Sequence, residues 1–283
     1  MNHNNWRSLL FIPANNSKFI EKASQRGADA IILDLEDSVP SEQKQQARKH
    51  VAQHINYLYK EGVELVVRIN SDLFNATADL TTVINDKVSA IMLPKIIGAD
   101  HISLIDQAIS QLEQERAIET GKIKIIALIE TIKALENCQA IASSSPRVIA
   151  LALGSEDLSL DGGFEPTPEN LTLPAQKIIY AARLANISAI GFAGSIAEFA
   201  DLDLFSQRQR QARSMGFNGA MCIHPSQVDA INKAHTPTAE QIVQAKAIVS
   251  AYNNAVKNNR GAVQINGRMI DPPVVERALK LVG

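Results

Sequence analysis

Eight short runs rich in Ile, Val and Leu recur along the 283 residues, each followed by a longer stretch with helix-start chemistry, and this rhythm restricts the fold more than any other feature. The runs fall at Ser8 to Pro13, Ala30 to Asp34, Leu65 to Asn70, Ala90 to Pro94, Lys124 to Glu130, Val148 to Gly154, Ser188 to Ala193 and Gly219 to His224. They are nearly continuously apolar, as parallel strands covered on both faces are. Between them, Ser41 to Tyr59 predicts a helix begun by Ser41, and Asp100 to Ile118 repeats Ile102, Ile105, Ile109 and Leu112 at helical spacing. No linker rich in Pro, Gly or Ser interrupts the alternation. The expected fold is therefore α/β: a closed (β/α)₈ TIM barrel over residues 1–235, with an open doubly wound sheet as the alternative. At 46% hydrophobic and 20% charged residues, the chain has the means to bury such a core.

The chain continues past the eighth run as a C-terminal helical extension, residues 236–283. Thr238 and Gln241 have capping-box spacing ahead of a helix that carries Ile242, Ala245, Val249, Tyr252 and Val256 on one face. A turn-rich segment from Gly267 to Pro273 follows, then a last short helix from Val274 to Leu281.

A net charge of −2 and the lack of any basic stretch with interleaved aromatics exclude the electrostatic footprint of a nucleic-acid binder. The apolar runs are far too short to cross a bilayer, and Met1 to Asn5 lead into a polar segment, so a cytoplasmic protein is expected. Cys138 and Cys222 have no paired spacing, which fits a reducing compartment and argues against a zinc knuckle.

A parallel barrel carries its active site at the carboxyl ends of its strands, so the polar residues that end the apolar runs are the candidates. They are Asp34-Leu35-Glu36-Asp37, Arg68-Ile69-Asn70, Pro94-Lys95, Glu130-Thr131, Gly154-Ser155-Glu156-Asp157 and His224-Pro225. Several carboxylates around one mouth repel unless a positive charge sits among them. Without clustered His and Cys, an all-oxygen ligand set with room for water and substrate suits magnesium or manganese. The competing reading makes Glu130 a rim carboxylate paired with Lys95 or Arg68, and Glu156 competes with Asp157 for any ligand role. Lys18 and Lys22, four residues apart beyond the first strand, share a helix face; they are either a solvated face or handles for phosphate. His224 before Pro225 is read as closing its strand, the commoner role of a lone His, or as a catalyst, and Asp271 before Pro272 as a helix cap or a catalytic carboxylate.

These segments together resemble the citrate lyase beta-subunit and malyl-CoA lyase group, of the HpcH/HpaI aldolase type. The resemblance rests on Arg7 to Pro13, Gly27 to Asp37, Val67 to Asn70, Leu93 to Lys95, Leu128 to Thr131, Gly154 to Leu158, Gly216 to Gly219, Ile223 to Gln227 and Gly267 to Asp271, collinear over nearly the whole chain. It implies a magnesium ion held by Glu130 and Asp157, with Glu36 and Asp37 arranging its water ligands. Arg68 would face the substrate carbonyl. Lys18 and Lys22 look like the pair that contacts the phosphates of coenzyme A, with the backbone of Ile223 and His224 lining the same site. Asp271 resembles a catalytic carboxylate that a C-terminal lid brings in from a neighbouring subunit, in a homo-oligomer of trimeric or hexameric form. Ala14, Ala220 and Gly191-Phe192-Ala193 depart from the group's usual residues, which leaves open the acyl group and whether its carrier is free coenzyme A or an acyl carrier protein. Gly162 to Pro168 reads as a loop over the mouth.

The implied activity is magnesium-dependent retro-Claisen cleavage of a 3-hydroxyacyl thioester to acetyl-CoA and an α-keto acid. A thioesterase on the same site, a class II pyruvate or phosphoenolpyruvate aldolase, and a non-catalytic binding subunit are the alternatives.

Overall fold

The computed structural model describes residues 6–192, 194–258, 260–265 and 267–282; the readings that touch Met1 to Asn5 and Ala193 lie outside them. Two compact units divide the chain, Met1–His235 and Thr236–Gly283.

In the first unit eight strands alternate with helices. The strands are β1 (Ser8–Pro13), β2 (Ala30–Asp34), β3 (Glu64–Arg68), β4 (Ala90–Leu93), β5 (Lys124–Ile129), β6 (Val148–Leu153), β7 (Ser188–Ile190) and β8 (Ala220–Cys222). Between and after them run α1 (Ser17–Ile20), α2 (Lys44–Lys60), α3 (Leu73–Val83), α4 (Ala99–Glu115), α5 (Ile132–Glu136), α6 (Cys138–Ala142), α7 (Ser155–Gly162), α8 (Pro168–Leu184), α9 (Leu202–Met215) and α10 (Pro225–His235). All neighbouring strands pair in parallel from β8 through β1 round to β7, and an Ile190–Gly219 bridge brings the two ends together. The open doubly wound sheet is thereby excluded. Gly219 sits at this seam because a Cβ there would lie 2.2 Å from the Trp6 carbonyl oxygen, so only glycine lets the backbones approach.

Two apolar clusters form, and their separation follows from strand pleating. Leu9, Ile32, Val66, Met92, Leu128 and Ala152 belong to one cluster that Trp6 joins, the barrel interior. The residues between them, such as Leu10, Leu33, Val67 and Ile129, join Val51, Ile55 and Ile105 of the helices in the other. The barrel is thus covered on both faces, and the alternation continues at the rim. Phe11, Asp34, Arg68, Glu130 and Gly154 each lie two residues beyond an interior residue and so share its side of the pleat.

Several local expectations change. Ser41 opens a 3₁₀ turn, Ser41–Gln43, with Pro40 at the cap and no side-chain cap hydrogen bond, and the α-helix begins at Lys44. Residues 162–168 form a short connection: Gly163 ends α7 in the left-handed conformation, the Phe164 N–H reaches the Ser159 carbonyl at 3.0 Å, and Phe164 packs on the core.

The second unit holds α11 (Ala239–Lys257), a hairpin of β9 (Val263–Ile265) and β10 (Arg268–Ile270), and α12 (Pro272–Val282), which packs on α11. The Thr238–Gln241 capping box forms reciprocally, at 3.0 and 3.1 Å. The segment expected to be only turns contains β10, with Gly267 in the left-handed turn, and the last helix starts two residues before Val274.

No described helix is long and apolar enough to cross a membrane.

Candidate active site at the barrel mouth

Asp34 and Arg68 face each other in register on β2 and β3, on the same side of the pleat. The Arg68 Nε and Nη2 groups donate to the two Asp34 oxygens at 2.7 and 2.6 Å, a planar two-bond fork. Nη1 lies 3.1 Å from Glu36 Oε2, and the guanidinium covers the Phe11 ring at 4.8 Å. Two of its N–H donors bond Asp34, and Nη1 stands within ion-pair distance of both Glu36 and, at 3.8 Å, Asp37 Oδ2. Burial alone would raise the Asp34 carboxyl, but the Arg68 fork and the backbone N–H of Glu36 hold it below the usual range. Burial also disfavours charge on Arg68, yet its carboxylate neighbours keep its pKa above the ordinary value.

Glu36 is buried 4% exposed, and Lys95 reaches it from β4's end, Nζ to Oε1 at 2.8 Å, while also lying 3.2 Å from Asp37 Oδ1. Burial raises the Glu36 carboxyl despite both cations. Behind this loop, Lys44 of α2 donates to the carbonyls of Leu35 and Glu36 at 3.1 and 2.8 Å and to Asn70 Oδ1 at 2.5 Å. Asn70 is held in turn by Asp79 of α3, which Arg48 of α2 engages at 2.5 Å. Two helices thereby fix the strand ends that carry Glu36 and Arg68.

Glu130 is 1% exposed and differs from its neighbours. Its hydrogen bond comes from the backbone N–H of Lys95, at 2.5 Å to Oε1, and among the described residues it has no ion-pair partner. The alternative reading, a rim carboxylate paired with the Lys95 or Arg68 side chain, is therefore corrected: those charges go to Asp34, Glu36 and Asp37. Burial, reinforced by the carboxylates of Glu36 and Asp157, pushes the Glu130 carboxyl up to about 8, against the Lys95 N–H and the Arg68 charge. Asp157 stands in the first turn of α7, next to Glu156, which is more exposed. Gly154 gives Glu130 its room: a Cβ at 154 would stand 2.8 Å from Glu130 Cβ and 2.9 Å from Oε2.

A buried carboxylate raised by two others, with the nearby side-chain cations already engaged, fits a divalent cation. Among the described residues no three His, Cys, Asp or Glu side chains form a group that could hold a metal ion; a pair of carboxylates such as Glu130 and Asp157 could hold magnesium or manganese only where water and ligand supply the remaining positions.

Lys18 and Lys22 lie in another sector. Lys18 is in α1, but that helix ends at Ile20, and Lys22 falls in the turn before the 3₁₀ helix Ala23–Arg26; the expected shared helix face is not formed, though both lysines are exposed. Ile223 and His224 follow β8, the strand beside β1, so all four residues follow one pair of neighbouring staves. Both backbone N–H groups donate at 3.0 Å to Oε1 of the fully buried Gln227, whose Nε2 donates to the Ile196 carbonyl. The His224 ring stacks on Phe199, centroids 4.9 Å apart, and Nδ1 lies 2.7 Å from Ser226 Oγ. Asp271, in the second unit, caps α12 only loosely, its Oδ1 accepting from the Val274 N–H at 3.4 Å.

Asp34, Asn70, Lys95 and Gly154 lie in the segments named as candidates but carried no role of their own there, Lys95 entering only as a possible partner of Glu130; Gln227 entered only within the segment Ile223 to Gln227, and Lys44 was not a candidate. Their roles depend on contacts between distant segments.

With this geometry in place, the similarities to known proteins are decisive. Residues 7–225 match the HpcH/HpaI aldolase/citrate lyase family model. The chain belongs to this family. It is 34% identical over 280 residues to the citrate lyase subunit beta of Haemophilus influenzae, covering 98% of this chain and 95% of that one. It is 29% identical over 299 residues to the L-malyl-CoA/beta-methylmalyl-CoA lyase of Cereibacter sphaeroides, covering 98% and 93%. The crystal structure of the CitE protein of Mycobacterium tuberculosis in complex with magnesium, acetoacetate and coenzyme A superposes with a TM-score of 0.78 at 26% identity, over 98% of this chain and 97% of that one.

Proposed function

We propose that this family member is a magnesium-dependent carbon–carbon lyase that cleaves a 3-hydroxyacyl thioester of coenzyme A, of citryl or malyl type, to acetyl-CoA and an α-keto acid. The observation that carries the proposal is the Glu130 carboxylate, 1% exposed beside Glu36 and Asp157 and without an ion-pair partner among the described residues. The magnesium and coenzyme A bound by the M. tuberculosis relative support it.

In this reading Glu130 and Asp157 hold the ion, while Glu36 and Asp37, tied by Lys95 and Arg68, accept hydrogen bonds from its water ligands. When bound, the ion supplies Lewis-acid polarisation of the substrate hydroxyl and carboxylate. Asp271 takes the hydroxyl proton. The hydroxyl carbon becomes the ketone of the α-keto acid as the carbon–carbon bond breaks, and the bonding pair passes to the thioester as an enolate. The Arg68 guanidinium stabilises the developing charge on the thioester oxygen, and protonation at carbon gives the acetyl thioester. Lys18 and Lys22 bind the phosphate-bearing end of the carrier from the β1–β8 side, where the Ile223–His224 segment, its two N–H groups held by Gln227, lines the site. Because Asp271 belongs to the C-terminal unit, a homo-oligomer, trimeric or hexameric, in which a neighbouring chain supplies it is part of the proposal. The two buried free thiols, Cys138 and Cys222, suit a reducing, cytoplasmic compartment.

The test is a panel of citryl, malyl and branched hydroxyacyl thioesters, on coenzyme A and on an acyl carrier protein, with magnesium and with chelator. Magnesium-dependent keto-acid release without free thiol is expected. Free thiol without keto acid would instead identify a thioesterase, and turnover of a hydroxy-keto acid lacking any thioester would identify an aldolase.

A further inference from the structure

Lys95 engages the site with both its backbone and its side chain. Three described non-glycine residues have a left-handed backbone: Lys95 (φ 49°), Ala117 (φ 54°) and Asn186 (φ 56°). Ala117 and Asn186 follow the ends of α4 and α8, where chains commonly turn this way. Lys95 follows a strand, so no helix end accounts for a conformation in which L side chains are strained.

Its contacts do account for it. The N–H donates to Glu130 Oε1 at 2.5 Å, while Nζ, on the same residue, lies 2.8 Å from Glu36 Oε1 and 3.2 Å from Asp37 Oδ1. Glu130 follows β5 and the Glu36–Asp37 pair follows β2; β3 and β4 stand between them. Lys95 spans that gap, one end of the residue on each group.

We propose that Lys95 is the positioning residue of the carboxylate cluster, its left-handed backbone holding Glu130 while its ammonium holds Glu36 and Asp37, so that a single residue sets the spacing a divalent ion requires. The inference rests on the metal reading above and goes beyond it by naming the residue that shapes the cradle without binding the ion.

Charge and positioning predict opposite results. Removing a positive charge near a cation site tightens metal binding if charge is all that matters. Removing a positioning group loosens it, and partners of metal-binding side chains typically account for about 10–100-fold in affinity or activity. The experiment is titration of the full-length wild type and of Lys95→Ala, Lys95→Gly and Lys95→Arg with Mn²⁺ alone, read by the electron paramagnetic resonance of free ion, alongside thermal melting and thioester kinetics. Lys95→Ala and Lys95→Gly should weaken Mn²⁺ binding by about tenfold or more and lower kcat by about 10–100-fold, with KM much less affected. Lys95→Gly should melt above Lys95→Ala, because glycine adopts the left-handed backbone without strain, and Lys95→Arg should recover part of both losses. Unchanged or tighter Mn²⁺ binding in folded Lys95→Gly, with wild-type kcat, overturns the inference while leaving the metal site standing. If the wild type itself takes up no Mn²⁺, the metal reading fails and the role of Lys95 falls with it.

Discussion

Gly154→Ala perturbs the site by a single methyl group. Residue 154 has φ −91°, so alanine meets no backbone strain there and the effect is steric. The new Cβ would stand 2.8 Å from Glu130 Cβ and 2.9 Å from Oε2, whereas ordinary contacts begin near 3.4 Å, so Glu130 must retreat by about 0.6 Å. Its other oxygen is held at 2.5 Å by the Lys95 N–H, and the retreat strains or breaks that bond. Misplacing a reacting constellation by about 1 Å costs on the order of 10²-fold in rate, and overpacking a tight interior costs about 1–3 kcal/mol. For a chain of this size that is a fall of roughly 2–10 °C in Tm. The assay is magnesium-dependent keto-acid release at saturating thioester, paired with a melting curve. A folded Gly154→Ala protein with wild-type kcat and metal affinity would refute the reasoning, since Glu130 would then have room to move without consequence.

Asp271→Asn should bind metal and melt like the wild type, because asparagine caps helices as well as aspartate, yet turn over about 10²–10⁴-fold more slowly as a lost general base; a melting change with full activity would make Asp271 a cap alone. Lys18→Ala and Lys22→Ala should each raise KM for the coenzyme A thioester by about tenfold, the scale of one charge-assisted hydrogen bond, and leave Mn²⁺ binding unaltered; equal KM at low salt would return them to a solvated surface. Arg147 is buried at the start of β6 and pairs with Glu113 at 2.6 Å and Asp106 at 2.5 Å. Burial would raise both carboxyls, but hydrogen bonds from Arg147 to each, from Ser145 to Asp106 and from the Ile123 N–H to Glu113 hold them below their ordinary values. Their stabilising contribution is thus present above the unfolded carboxyl pKa and is lost as pH falls through the lower folded values. Arg147→Met, which strands the buried Glu113, should cost about 3–5 kcal/mol at pH 7 and less near pH 4, where Glu113 can be neutral; a penalty independent of pH would contradict the pairing.

Much of the barrel is legible in the sequence because each stave is a local apolar run. Its ends are less so. Leu65 to Asn70 reads as strand through Asn70, but pairing stops at Arg68, and the Asn70 N–H goes to Asp79 instead. Continuous apolar character also hides the pleat: with both faces buried, nothing local separates Ile32 from Leu33, and so nothing shows that Asp34 and Arg68 point inward together. The four-residue spacing of Lys18 and Lys22 misleads because a helix face needs a helix, and α1 ends before Lys22. The β9–β10 hairpin escapes notice since its strands are three residues each and largely exposed, too short to show a period. The turned backbone of Lys95 and the clearance at Gly154 have no local signal; each is set by Glu130, 35 and 24 residues away in the chain.

Anomalous diffraction from crystals soaked in Mn²⁺ tests the central claim most directly. A peak bridging Glu130 and Asp157, lost on soaking Glu130→Ala crystals, is the predicted result; clear density for both side chains turned away from each other, with no peak between them, would contradict it.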